Sequence, residues 1–190
     1  MNDTINLFVD MDGTTAMFYE NANCLEAMLA PGFFSNLRPY ANVVEALKIL
    51  ARYNSGEAVK CVSGRKGVSL FSLSVPPEGN YWQAQTEKTD WNLRHLPGVF
   101  EDMLFPHVQN KKSEFVELRN GRKLQATDFL LDDYNKNLGE WRAAGGTAIK
   151  LVNDINDTGK FGMLWDGPRV RYDWPPERIA EAIATILNLK

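Results

Sequence analysis

Short apolar runs alternate with helical patterns along most of the chain, and this alternation predicts a parallel β-sheet covered by helices. The runs are nearly continuous, as expected for strands that are buried on both faces. We predict strands over residues 5–9, 58–62, 103–105, 129–131 and 148–152. The expected fold is therefore α/β, with a Rossmann-like parallel sheet flanked by helices.

Apolar residues that recur every three or four positions predict the helices between these strands. One such stripe covers residues 43–50, and a second helix is expected over residues 82–96. The C-terminal helix is predicted to begin at Pro175-Pro176, because proline is favoured in the first helical turn. Residues 70–81 show no clear pattern apart from a turn over residues 76–79.

Length and composition narrow the class of protein. The 190 residues suit one domain over residues 1–190, and 44% hydrophobic with 24% charged residues is ordinary for a globular chain. A net charge of −3 argues against a surface that coats nucleic acid. The two cysteines, Cys24 and Cys61, form no disulfide framework, and no apolar run approaches the ~20 residues of a membrane span. We expect a cytoplasmic protein that does not bind membranes.

The most informative feature is a pair of acidic turns at predicted strand ends. The first strand leads into Asp10 and Asp12, followed by Gly13, and the strand over 129–131 leads into Asp132 and Asp133. The carboxyl ends of parallel strands bind ligands, and several carboxylates in one crevice call for a cation such as Mg²⁺. A carboxylate beside Mg²⁺ can attack a phosphoryl group. The alternative is that Asp10 and Asp12 only form the turn.

Four segments, in this order, resemble the four motifs of the haloacid dehalogenase-like (HAD) phosphohydrolases: D-M-D-G-T (10–14), V-S-G (62–64), K-S-E-F (112–115) and L-L-D-D (130–133). Two further segments are similar to the type C 5′-nucleotidases, the 5′(3′)-deoxyribonucleotidases. They are P-G-F-F (31–34), which continues to R-P (38–39), and E-K-T-D-W (87–91). This resemblance covers roughly residues 5–155.

The resemblance implies a role for each acidic residue. Asp10 would be the nucleophile and a Mg²⁺ ligand. Asp12 would be the general acid and then the general base, with its backbone carbonyl on the metal. Asp133 would be the remaining metal ligand from the protein, and Asp132 would orient Asp133 or the metal-bound waters. The expected cofactor is accordingly Mg²⁺.

The resemblance also implies two residues that contact the phosphate. Ser63 would hydrogen-bond a phosphoryl oxygen, although a serine here could instead cap a helix. Lys112 would neutralise the phosphate and the aspartyl intermediate. Lys111 is the alternative to Lys112, and only the match to the family motif favours Lys112.

Residues 16–38 form a candidate cap that is much shorter than the helical cap of the deoxyribonucleotidases. Phe18 stands where those enzymes have a phenylalanine near the base, and Phe33 and Phe34 could extend an apolar wall. Alternatively, this cluster only packs the lid against the core. A site with so small a lid could be completed by a second subunit, which makes a homodimer one alternative to a monomer.

The expected activity is Mg²⁺-dependent hydrolysis of a phosphomonoester through an aspartyl-phosphate on Asp10. The partner would be a small phosphorylated substrate, with (deoxy)nucleoside monophosphates as the leading class. Two alternatives stay open. One is a phosphatase for another small ester, such as a sugar phosphate or a nucleic-acid end, and the other is a protein that binds Mg²⁺ and phosphate without turnover.

Overall fold

The computed structural model describes residues 5–20, 24–52, 67–153, 155–156 and 164–189. In this part of the chain, six parallel strands form one sheet in the order β3-β2-β1-β4-β5-β6. The strands are β1 (Ile5–Val9), β2 (Val68–Leu73), β3 (Asp102–Leu104), β4 (Asp128–Asp132), β5 (Thr147–Val152) and β6 (Arg169–Arg171). The expected parallel α/β sheet is confirmed.

Four of the predicted strands are present at nearly the predicted positions, and β2 and β6 were not predicted. The strand expected over residues 58–62 lies outside the described residues. The partner of β1 on that side is β2, with Leu7 opposite Leu70 and Val9 opposite Ser72. On its other side β1 pairs with β4, so that Val9 lies opposite Leu131. The acidic ends of β1 and β4 are therefore direct neighbours.

Helices cover both faces of the sheet. They are α1 (Cys24–Ala27), α2 (Ala41–Arg52), α3 (Tyr81–His95), α4 (Lys112–Asn120), α5 (Asn135–Ala143) and α6 (Pro176–Ile186). Alternate residues of β1 pack on opposite faces: Leu7 and Val9 join a core with α2 and α6, and Phe8 joins a core with α4 and α5. The predicted helices over 43–50, 82–96 and the C-terminus correspond to α2, α3 and α6.

Helix α3 also fixes the segment that follows α1. The Glu87 carboxylate accepts the backbone N–H of Gly32 at 2.7 Å and that of Phe34 at 3.0 Å. One turn later, the indole N–H of Trp91 donates to the carbonyl of Leu37 at 2.7 Å. Residues 32–37 are thus bound to α3 through buried polar contacts. Among the residues described, no helix has the length and apolar character needed to span a membrane.

Candidate active site

The acidic turns meet at the carboxyl-terminal edge of the sheet. Asp10 directly follows β1, Asp132 is the last residue of β4, and Asp133 comes next. One oxygen from each of these three buried carboxylates lies within 4.8 Å of the other two. The juxtaposition follows from the pairing of β1 with β4, which brings Asp10 and Asp132 to the same level of the sheet. A crevice at this edge is the usual ligand site of such sheets.

Lys112 places a positive charge inside this cluster. At the start of α4, its ammonium donates to Asp10 Oδ1 at 2.6 Å and to Asp132 Oδ2 at 2.7 Å, and its side chain is only 5% exposed. Lys111 is 53% exposed and its ammonium pairs with Glu114 at 3.2 Å, on the helix surface. Of the two lysines that the sequence left as alternatives, Lys112 is the one placed in the site.

The cluster has more negative charge than one lysine balances. Burial, together with the charges of Asp132 and Asp12, raises the pKa of Asp10 from 3.8 to about 7 even though Lys112 opposes the shift. Burial and the charges of Asp132 and Asp10 raise the pKa of Asp133 well above its usual range. Burial would lower the pKa of Lys112, but its two carboxylate partners outweigh burial and raise it.

The hydrogen bonds distinguish the two carboxylates of the second turn. Asp132 Oδ1 accepts the N–H of Tyr134 at 2.8 Å, and Oδ2 accepts from Lys112 and from the Asn137 amide at 3.0 Å. Asp133 accepts one hydrogen bond from the described residues, from Asn153 to its Oδ2 at 3.1 Å. Both oxygens of Asp132 therefore accept hydrogen bonds from protein donors, whereas in the described part of the chain Asp133 Oδ1 accepts none and is left for another ligand.

The donor chemistry of the site suits a hard divalent cation. Asp10 and Asp133 are buried carboxylates with raised pKa values, which a cation would relieve. Gly13 brings the turn after β1 against this pair: its φ is +77°, and a Cβ at this position would lie 2.5 Å from Asp133 Oδ2. The residues present therefore fit the expected Mg²⁺.

Two residues that the sequence did not assign to the site complete it. The ammonium of the fully buried Lys88 pairs with Asp12 Oδ2 and donates to Ser74 Oγ at 2.9 Å. Ser74 follows β2 directly, at the same sheet edge as Asp10. The second carboxylate oxygen of Asp12 is buried without a hydrogen-bond partner in the described structure. The segment E-K-T-D-W contained Lys88, but its role depended on a contact that only the fold reveals.

Ser63, the serine expected to contact phosphate, lies outside the described residues, so its placement stays a prediction. The serine that the structure places at the end of the strand beside β1 is Ser74. Strand β2 was missed because serine interrupts its apolar run, while residues 58–62 offered a cleaner one. Lys88 lies on the face of the predicted helix that points toward the core, and a lysine at such a position was the signal in the sequence that could have indicated this part of the site.

Phe18 lies in an aromatic cluster beside Lys88. Its side chain is 6% exposed, and its ring centroid is 5.6 Å from that of Phe33 and 6.5 Å from that of Phe34. The Lys88 ammonium lies 4.1 Å from the centroid of the Phe34 ring. The three phenylalanines thus pack together next to the buried lysine, and their role as an apolar wall for a base stays a prediction.

No protein-family model matches the chain, and no curated protein matches it. Solved structures do match. D,D-heptose 1,7-bisphosphate phosphatase from B. bronchiseptica, complexed with magnesium and phosphate, has a TM-score of 0.61 at 14% identity, covering 96% of this chain and 99% of that one. A HAD-superfamily hydrolase from Ehrlichia chaffeensis has a TM-score of 0.56 at 12% identity, covering 99% and 100%. The fold is that of the HAD-superfamily hydrolases.

A third HAD-family hydrolase, from Deinococcus radiodurans with bound phosphate and sodium, has a TM-score of 0.51 at 12% identity, covering 100% of this chain and 99% of that one. At such identities the likeness establishes the HAD fold alone. The order of the acidic turns and Lys112 on this fold matches the motifs that the sequence suggested. The type C 5′-nucleotidase branch stays a prediction.

Proposed function

We propose that the protein is a Mg²⁺-dependent phosphomonoesterase that works through an aspartyl-phosphate on Asp10. The observation that carries this proposal is the contact of Lys112 with both Asp10 and Asp132, beside Asp133, at the ligand-binding edge of the sheet. A buried nucleophile held by a lysine and flanked by spare carboxylate oxygens suits attack on a phosphoryl group. The magnesium and phosphate bound to the heptose bisphosphate phosphatase are consistent with it.

The proposed reaction has two displacements at phosphorus. Asp10 Oδ2, which Lys112 leaves unbound, attacks the phosphorus, and the bond from phosphorus to the ester oxygen breaks. Asp12, protonated on Oδ1, the oxygen that Lys88 does not bind, gives this proton to the departing oxygen and becomes a carboxylate. Water then attacks the aspartyl-phosphate and gives its proton to Asp12, which releases inorganic phosphate and restores Asp10.

Asp10 and Asp133, with the backbone carbonyl of Asp12, would hold the Mg²⁺, and Asp132 would orient Asp133 and Lys112. When bound, the cation neutralises charge on the transferring phosphoryl group. Lys88 and Ser74 are the proposed protein donors to the phosphoryl oxygens, because both present polar atoms beside Asp12. Ser63 keeps the same role as an untested alternative to Ser74.

The proposed substrates are (deoxy)nucleoside monophosphates. The support is the aromatic cluster beside Lys88, next to the proposed phosphate site: Phe18 and Phe34 are buried, and the partly buried Phe33 packs edge-on against both. We propose that residues 16–38 act as a minimal cap within a single domain over residues 1–190. A sugar phosphate is the second candidate, favoured by the fold likeness to the heptose bisphosphate phosphatase.

The test is hydrolysis of an aryl phosphate by the purified chain with Mg²⁺ and with EDTA, followed by a panel of esters. The panel holds deoxynucleoside 5′-monophosphates, sugar phosphates and a 5′-phosphorylated oligonucleotide. We expect Mg²⁺-dependent release of phosphate, fastest from the nucleotides. A binding protein without turnover would release none from any ester. A preference for sugar phosphates would retain the mechanism and replace the substrate class.

A further inference from the structure

The loop after β5 also contacts the acidic cluster, and the proposed roles of the acidic turns and Lys112 do not use this contact. Asn153 directly follows β5 and is 3% exposed. Its amide nitrogen donates to the carbonyl of Gly13 at 3.0 Å and to Asp133 Oδ2 at 3.1 Å. A single side chain thus joins the turn after β1 to the turn after β4.

The orientation of this amide is fixed by its own loop. The side-chain oxygen of Asn153 accepts the backbone N–H of Ile155 at 3.2 Å and that of Asn156 at 3.1 Å. Because these contacts occupy the oxygen, the NH₂ group must face Gly13 and Asp133. All four hydrogen-bonding positions of the amide are used, so Asn153 is a donor to Asp133 and not a metal ligand.

Asn156 also supports the acidic turn after β4. Its amide nitrogen donates to the backbone carbonyls of Asp133 at 3.1 Å and Leu151 at 2.8 Å, and its oxygen accepts the N–H of Asn153 at 3.0 Å. The backbone of Asp133 is therefore held by Asn156, and the carboxylate by Asn153. Gly13 closes the other side, since even a Cβ there would meet the carboxylate.

We propose that Asn153 is a positioning residue that fixes the rotamer of Asp133 and presents its Oδ1 to the cation. This inference rests on the proposed function, because it takes Asp133 as a ligand of Mg²⁺. Without the amide donor, Asp133 would be a buried carboxylate free to rotate away from Asp10, which repels it. Residues that orient a metal ligand in this way typically contribute about 10–100-fold to metal affinity.

The chain supplies a matched control at the opposite edge of the sheet. Asn6 Nδ2 donates to the buried carboxylate of Asp128 at 2.7 Å, which is the same chemistry far from the acidic turns. Asn6→Ala therefore removes an amide–carboxylate contact without touching the proposed site. Asn153→Ser is the main variant, because its hydroxyl can still accept an N–H two residues on and preserve the turn. Asn153→Ala is the full truncation.

The experiment is calorimetric titration of the metal-free chain with Mg²⁺ and with Ca²⁺, in the absence of any ester, together with thermal unfolding. We expect Asn153→Ser and Asn153→Ala to bind Mg²⁺ about 10–100-fold more weakly than the parent, and Asn6→Ala to bind it within about twofold. We also expect the preference for Mg²⁺ over Ca²⁺ to narrow, because a looser Asp133 accommodates the larger ion.

A folded Asn153→Ser with the parent's Mg²⁺ affinity would overturn the inference, as would an equal loss in Asn6→Ala. A parent that binds no Mg²⁺ would overturn it too. Because no ester is present, the titration is independent of turnover. A parent whose Mg²⁺ affinity depends on Asn153 but which hydrolyses no ester would refute the proposed function and leave this inference standing.

Discussion

The ammonium of Lys88, which is fully buried, pairs with the carboxylate of Asp12 from 76 residues away in the sequence. The same ammonium donates to Ser74, so one side chain of α3 joins the turn after β1 to the end of β2. A charge placed here can both hold Asp12 and receive an incoming phosphoryl oxygen. Lys88 is therefore central to the proposed chemistry even though it belongs to neither acidic turn.

Replacing Lys88 with methionine tests this relationship. Lys88→Met keeps the length of the side chain and removes the charge, so we expect kcat/KM for an aryl phosphate to fall by about 10²–10³-fold, the usual cost of losing one charged donor. Lys48→Met is the control, because Lys48 on α2 forms an ion pair with Glu45, one turn earlier on the same helix. Parental kcat/KM in Lys88→Met would contradict the role.

Lys111 and Lys112 are neighbours in the sequence, and we expect their removal to have very different effects on the free energy of unfolding. Lys112→Ala leaves Asp10 and Asp132 buried without their cation, and we expect the free energy of unfolding to fall by about 3–5 kcal/mol. Lys111→Ala removes an exposed ion pair with Glu114, worth about 0–1 kcal/mol. Denaturant unfolding with EDTA present measures both. Equal effects would show that Lys112 does not hold the cluster.

Substitutions of Asp10 and Asp12 should block different steps of the proposed reaction. Asp10→Asn should abolish turnover while the chain still folds, because an amide cannot attack the phosphorus. Asp12→Asn removes the proton donor and the later base, but an aryl leaving group needs little protonation. We therefore expect a phosphoenzyme to accumulate in Asp12→Asn, detected as an added phosphate by mass spectrometry. Turnover by a folded Asp10→Asn variant would remove the covalent mechanism.

The pKa of Asp10 makes stability depend on pH. Folding raises this pKa from 3.8 to about 7, so the folded chain holds the proton more tightly than the unfolded chain. The stability that comes from this proton is complete at low pH and is lost as the pH rises through about 7. In EDTA, we expect this contribution to decrease between about pH 4 and about pH 7 and to level off above that.

Mg²⁺ should offset that loss, since it competes with the proton for Asp10. The increase in Tm on adding Mg²⁺ should therefore be larger at about pH 8 than at about pH 5. Asp10→Asn is the control, because it removes this titrating group and should reduce the change with pH to the part that comes from the raised pKa of Asp133. An Mg²⁺-induced shift in Tm that is the same at both pH values would contradict the assignment of Asp10 as a ligand.

Phe18 tests the nucleotide proposal. Its side chain is buried, so Phe18→Ala should lower the free energy of unfolding by about 3–5 kcal/mol whichever role it has. The values of kcat/KM for two kinds of substrate distinguish contact with a base from packing of the cap. If Phe18 borders a base, its loss should cost nucleoside monophosphates about 1–3 kcal/mol in kcat/KM and leave a small non-aromatic ester unchanged.

Leu138→Ala is the matched control for this experiment, because Leu138 is fully buried on the opposite face of the sheet. It should destabilise the chain without changing the ratio of kcat/KM between the two substrates. Assays at a temperature where all variants are folded give that ratio. A parallel loss on both substrates in Phe18→Ala would leave Phe18 as a packing residue of the cap.

The parts of the site that could be predicted are those encoded locally. An apolar run that leads directly into Asp10 or into Asp132 reports both a strand and its carboxyl end, so the two acidic turns were located from the sequence. Lys112 was found through its motif. Strand β6 is only three residues long, which is too short for a recognisable hydrophobic pattern, and its two arginines are more typical of a loop.

The residues that were missed act through distant partners. Lys88 contacts Asp12, and Asn153 contacts Asp133 and Gly13, across separations that no local pattern reports. Ser74 was missed because β2 was missed. A polar residue within an apolar segment has no visible partner in the sequence alone. Such contacts become apparent only when the strand order is known.

The attachment of the proposed cap to α3 has a consequence for how substrates reach the site. Glu87 and Trp91 bind residues 32–37, while Lys88, between them on the same helix, binds the residue that is proposed to transfer the proton. Residues 32–37 of the proposed cap and Asp12, the proposed acid, are thus all held by contacts with α3. We therefore expect residues 32–37 to stay in place when substrate binds, so that release of products requires no hinged opening of this segment.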